Sequence, residues 1–143
     1  MKKRILLADD DAAIRETLGR VLESEHYEVA RAASGREAVA KFAVCPADLI
    51  LLDLNMPDLD GWDAIDQITS SHPFVSVIVI TARPMQYASA VEMAVDALME
   101  KPLDLPVLLA AIAKLMAESE VDRVKRLSNP CFKTQLLVPA PEG

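Results

Sequence analysis

Asp9, Asp10 and Asp11 close the apolar run Ile5-Leu6-Leu7-Ala8, and Asp53 closes Leu49-Ile50-Leu51-Leu52. Thr81 ends the run from Val75 to Ile80, and Lys101 follows another short apolar run. An ionised carboxylate at the tip of a buried strand needs a cation or hydrogen-bond donors beside it. Several carboxylates within a few ångströms repel one another, and a divalent cation removes that conflict. Oxygen donors without cysteine or histidine nearby point to Mg²⁺ or Mn²⁺, which keep several waters and complete their shell with phosphate. In such a pocket Lys101 would pair with one phosphoryl oxygen and the Thr81 hydroxyl would donate to another. Asp53 would be the nucleophile, forming an aspartyl phosphate.

The elements that must position these groups are legible in the apolar periodicity. Strand-like runs fall at about 4–9, 27–32, 48–53, 75–81 and 97–100, with helical patterns between them. Ile14, Leu18, Val21 and Leu22 form one helical stripe, Trp62, Ile65 and Ile68 another, and Leu108, Ala111, Ile112, Leu115 and Met116 the clearest. Five βα repeats predict a three-layer, doubly wound α/β domain: five parallel strands in the order 2-1-3-4-5, with five helices. In that winding the reversal lies between strands 1 and 3, the two that carry aspartates, and the ligand site lies beyond the strand C-termini.

Plainer duties are assigned elsewhere. Asp11 is expected to cap the helix starting near Ala12 rather than to bind metal, Asp104 and Pro106 to open the last long helix, and Trp62 to pack in the core. Cys45 and Cys131 lack metal-ligand spacing, and His26 and His72 stand alone near loops. With 143 residues, 52% of them hydrophobic, the chain fits one compact domain. A formal charge of −7 disfavours a phosphate-backbone contact surface, so no direct nucleic-acid contact is expected. No apolar stretch approaches the roughly 20 residues that span a bilayer, and Lys2-Lys3-Arg4 is followed by too few apolar residues for an export signal. A cytoplasmic protein without membrane insertion is the expectation. After Met116 the apolar pattern fades. Residues 1–120 are read as the domain and 121–143 as a helical extension with a flexible tail and no output domain. Leu136-Leu137-Val138 is favoured as a frayed end over a docked segment.

Taken in order, Ile5 to Asp11, Leu51 to Gly61 (with Met56-Pro57-Asp58), Ile80-Thr81-Ala82 and Lys101-Pro102 resemble the response-regulator receiver domain of two-component signalling. The likeness covers about residues 3–118. It implies that Asp53 is the phospho-acceptor, Asp10 a direct Mg²⁺ ligand, Asp9 a ligand acting through water, and the backbone carbonyl of Asn55 a further metal ligand. It also implies that Lys101 pairs with the phosphoryl group, that the Lys101–Pro102 bond is cis, that Thr81 is the switch hydroxyl, and that Ala82 is small where the phosphoryl group enters. The implied function is a single-domain switch rather than an enzyme: a histidine kinase or phosphotransfer protein phosphorylates Asp53 in a phosphorelay. A surface of the fourth helix, fifth strand and fifth helix then changes affinity for a protein partner. Monomer and homodimer are both open.

The chain departs from the family in places. Leu98 stands where an aromatic residue usually couples to the hydroxyl switch, Ala94 where glycine is frequent, and the segment from Thr81 to Lys101, with Pro84 early in it, is short. A shortened or re-angled fourth helix is therefore expected. Arg83 and Asn55 occupy positions that tune phosphoryl lifetime. Three other functions compete: a constitutive docking module, an aspartate-nucleophile phosphatase and a flavodoxin-like electron carrier. The phosphatase needs a second carboxylate where this chain has Asn55, and three aspartates would repel a flavin phosphate.

Overall fold

The structure is a computed structural model describing residues 2–54, 61–82, 87–92 and 94–138. The elements run β1 (Arg4–Ala8), α1 (Ala12–Ser24), β2 (Glu28–Ala32), α2 (Gly35–Val44), β3 (Leu49–Asp53) and α3 (Gly61–Ser71). They continue with β4 (Ser76–Thr81), α4 (Tyr87–Glu92), β5 (Ala97–Glu100), α5 (Leu105–Ala117), α6 (Glu120–Ser128) and β6 (Gln135–Leu137). All pairings are parallel, and the sheet order is β2-β1-β3-β4-β5-β6. The winding reverses between β1 and β3.

Period-two alternation sends successive residues of the central strands to opposite layers. Ile50 and Leu52 of β3 join Phe42 of α2 and Ala64, Ile65 and Ile68 of α3. Leu49 and Leu51 join Leu18 and Leu22 of α1 and Leu108 and Ile112 of α5. Every residue of β3 is buried, as the continuous apolar run implied for a strand covered on both faces. Trp62 packs partly buried against the first layer.

Helix starts follow the sequence signals. Asp11 caps α1, accepting from the Ala13 and Ile14 N–H groups at 2.9 and 3.2 Å. Asp104 caps α5, accepting from Val107 at 3.2 Å, with Pro106 in the first turn. Gly61 opens α3 where an added Cβ would stand 3.0 Å from both Leu52 Cδ2 and the Leu54 backbone, so the close approach favours glycine. Ala94 holds φ at 55°, the left-handed region that glycine occupies more cheaply.

The expectation of five strands and five helices is corrected by one of each. Where a frayed end was favoured, residues 135–137 pair with β5 in the register Ala97↔Gln135, Leu98↔Leu136 and Met99↔Leu137. Three residues are too few to show a period, so their partner strand decides their conformation. Of the extension and tail expected over 121–143, residues 139–143 lie outside the described residues.

Candidate functional site

Parallel winding sets the ends of β1, β3, β4 and β5 side by side. The register aligns Ala8 with Leu52 and Asp53 with Ile80, so Asp9, Asp53 and Thr81 end adjacent strands at one rim. Thr81 is registered on Glu100, and its carbonyl accepts the Lys101 N–H at 2.8 Å, which seats Lys101 at the same rim. The Lys101–Pro102 peptide is cis.

The side chains converge. Lys101 Nζ donates to Asp53 Oδ2 at 2.7 Å and lies 3.8 Å from Asp9 Oδ2. Asp9 and Asp53 are each 1% exposed, Thr81 is fully buried, and Asp10 is exposed at the mouth. One carboxylate oxygen from each of Asp9, Asp10 and Asp53 lies within 4.8 Å of the others, forming the one acidic or metal-ligating group of this kind among the described residues. Asp11 stands outside it as a cap. Asn55 and Arg83 lie outside the described residues.

Asp9 is held from several sides. Its Oδ1 accepts the Asp11 N–H at 2.9 Å, its own N–H donates to Ala32 O at 3.0 Å, and its carbonyl accepts Arg15 Nη1 at 2.8 Å. Oδ2 is buried and has no hydrogen-bond partner. Burial pushes the Asp9 carboxyl up to about 6; the Asp11 N–H and Lys101 oppose this, and the charges of Asp53 and Asp10 reinforce it. For Lys101, burial acts to lower the ammonium, but the hydrogen bond and charge of Asp53, with Asp9 and Asp10, hold it above the ordinary lysine range. The site is thus short of positive charge. A hard cation among these oxygens would satisfy Asp9 Oδ2 and relieve the repulsion, so the donor set fits a divalent metal.

Sequence reasoning missed two groups of residues. Arg15, one turn beyond the capping Asp11, backs the Asp9 carbonyl; its helical spacing from Asp11 was the available signal. Asp96, just before β5, is buried against Arg123 and Arg126 of α6, and no local pattern announces that pairing. Leu98 is 1% exposed and packs in the first layer.

Residues 5–113 match the family described as the response regulator receiver domain. The chain belongs to that family. Among solved receivers, the CheY-like protein of Methanospirillum hungatei superposes with a TM-score of 0.78 at 30% identity, covering 87% of this chain and 98% of that one. The response regulator TrrA of Thermotoga maritima, solved in complex with Mg²⁺–BeF, gives 0.73 at 33%, covering 79% and 98%. Response regulator MprA of Mycolicibacterium vanbaalenii is 36% identical over 124 residues, 85% of this chain and 54% of that protein. This receiver-family chain therefore spans about half the length of the curated relatives it matches. Among the described residues, no helix is long and apolar enough to cross a membrane.

Proposed function

We propose that this receiver domain is a switch phosphorylated on Asp53, with a sensor histidine kinase or phosphotransfer protein as donor in a phosphorelay. The observation that carries this is the direct Lys101–Asp53 contact inside a cluster of three carboxylates, one of which keeps a buried oxygen without a hydrogen bond. The complex of TrrA with Mg²⁺–BeF supports the metal assignment, since beryllium fluoride has the tetrahedral, anionic form of a phosphoryl group. Asp9, Asp10 and Asp53, with the Asn55 backbone carbonyl, would hold Mg²⁺, or Mn²⁺ in its place. The bound cation supplies charge neutralisation at the phosphoryl oxygens.

In the reaction an Asp53 carboxylate oxygen attacks phosphorus and forms an O–P bond. The bond from phosphorus to the donor breaks, and the donor nitrogen or oxygen keeps the electron pair. Lys101 moves from the carboxylate to a phosphoryl oxygen, and the Thr81 hydroxyl donates to another. The receiver family supports reading the chain as a phospho-accepting signalling protein with slow self-hydrolysis rather than an enzyme with turnover. The domain assignment is a receiver over 1–120 with an appended segment at 121–143. The output is a change in affinity for a protein partner at the α4–β5–α5 face, acting in the cytoplasm without direct nucleic-acid contact or membrane insertion. A homodimer through that face is a second form of the same output.

Incubation with Mg²⁺ and acetyl phosphate, followed by intact-mass measurement, is expected to show one phosphoryl adduct in wild type and none in Asp53→Asn. An unmodified wild type, or an adduct undiminished in Asp53→Asn, overturns the reading.

A further inference from the structure

The segment after α5 lies beyond the family match at 5–113, yet it is fastened to the fold at buried points. Arg123, 7% exposed, donates to both Asp96 oxygens at 3.0 Å, to Val75 O at 2.7 Å and to Phe74 O. Asp96 also accepts the Val77 N–H at 2.7 Å and Arg126 at 2.6 Å. This cluster lies at the N-terminal ends of β4 and β5, the end of the sheet away from Asp53, and mounts α6 there.

The next residues form a lighter contact. The Thr134 hydroxyl, buried, lies 2.7 Å from Val95 O and 3.2 Å from Ala90 O of α4. Gln135 N–H donates to Asp96 O at 3.0 Å. In β6 only Leu137 is buried, in the layer shared by Met99 of β5 and Ile112 of α5. Residues 134–137 thus reach α4 through Thr134, pair with β5 and share a core layer with α5, on the strip assigned above to the partner.

We propose that residues 130–138 form an in-cis arm over the α4–β5–α5 face, docked while Asp53 is unmodified and loosened by its phosphorylation, so that phosphorylation exposes the β5 edge to a protein partner. The inference rests on Asp53 being the phospho-acceptor. Lys101 Nζ occupies the space directly against Asp53 Oδ2, and a phosphoryl group on that carboxylate displaces it. Lys101 follows β5 at once, and two residues earlier Met99 is registered on Leu137. Movement of the end of β5 is therefore transmitted to the one residue that buries β6. Because the coupling is a free energy between two sites, it is reciprocal: an arm that cannot dock must favour the phosphorylated arrangement.

The test uses the full chain. Protein is treated with Mg²⁺ and acetyl phosphate, the adduct is followed by intact mass, and amide hydrogen exchange is read across 133–138. In parallel, Thr134→Val and Leu137→Ser are titrated with beryllofluoride and Mg²⁺ at equilibrium. On modification the amides of residues 135–137 are expected to exchange about tenfold faster or more, and both variants to bind beryllofluoride about fivefold tighter or more. If Leu137→Ser fails to fold, Thr134→Val, in which a methyl group replaces the hydroxyl, decides the matter. An adduct with unchanged exchange, or variants that bind no tighter, overturns the arm and leaves Asp53 as the acceptor. No adduct overturns both.

Discussion

Asp9 carries the largest electrostatic conflict of the rim, and its titration gives the conflict a sign. In the folded chain its carboxyl titrates at about 6 against an ordinary value of 3.8, so across that window the folded state holds a proton the unfolded state has lost. In chelator, Asp9 therefore makes stability fall as pH rises from about 4 to about 6, by up to roughly 3 kcal/mol. Chemical denaturation at several pH values should show this loss in wild type and its reduction in Asp9→Asn, the difference between the two cancelling the titrating groups remote from the rim. Residue identity also sets a smaller penalty at Ala94, whose Cβ is held at a φ of 55°. Relief of about 1–2 kcal/mol, less about 0.4–1 kcal/mol for the greater freedom of unfolded glycine, predicts that Ala94→Gly stabilises by roughly 0.5–1 kcal/mol. A lowered melting temperature for this variant would contradict that account.

Among the elements, the strands deliver the chemistry and α6 fastens the lower edge of the sheet. The Asp96–Arg123 pair is buried, with side chains 2% and 8% exposed. Glu118 bridges α5 to Arg126, which holds the Glu118 carboxyl below its ordinary range and, against the effect of burial, the Arg126 guanidinium above its own. Removing one partner of such a cluster leaves a desolvated charge, so Asp96→Ala is expected to cost about 3–5 kcal/mol in denaturation experiments. By contrast Asp11→Ala, which removes only the cap of α1, is expected to cost about 1 kcal/mol and to leave phosphorylation of Asp53 intact. Equal losses in the two variants would show that the cluster is not the mount assigned to it.

At the scale of the molecule, the rim and the edge strand lie on opposite sides of one lysine. Lys101 contacts Asp53 on one side and continues the strand that carries β6 on the other. Metal binding acts on this whole state. Mg²⁺ that binds only the folded chain should stabilise it by about 2.7 kcal/mol at a hundredfold excess over its Kd, and Asp10→Ala should abolish the response. A melting temperature of wild type indifferent to Mg²⁺ would contradict the carboxylate assignment. The same titration should give a smaller gain near pH 5 than near pH 7, because protons and metal compete for Asp9.

The rim was legible without coordinates because each of its parts is a local signal. An apolar run of strand length followed by a charged or hydroxyl side chain marks a strand end wherever it occurs, and parallel winding forces all such ends to one side. Asp11 and Asp104 were readable as caps for the same reason, since their bonds reach only two or three residues along the chain. The Asp96–Arg123 contact spans 27 positions and depends on where α6 lands. Residues 135–137 have no preference of their own strong enough to declare a strand. The amino-acid order alone determined the alternating elements and the convergence of Asp9, Asp10, Asp53, Thr81 and Lys101. Tertiary structure decided that residues 135–137 pair along β5 and that Asp96 is buried against Arg123, because burial of a charge or pairing of a short strand is a property of the partner it meets.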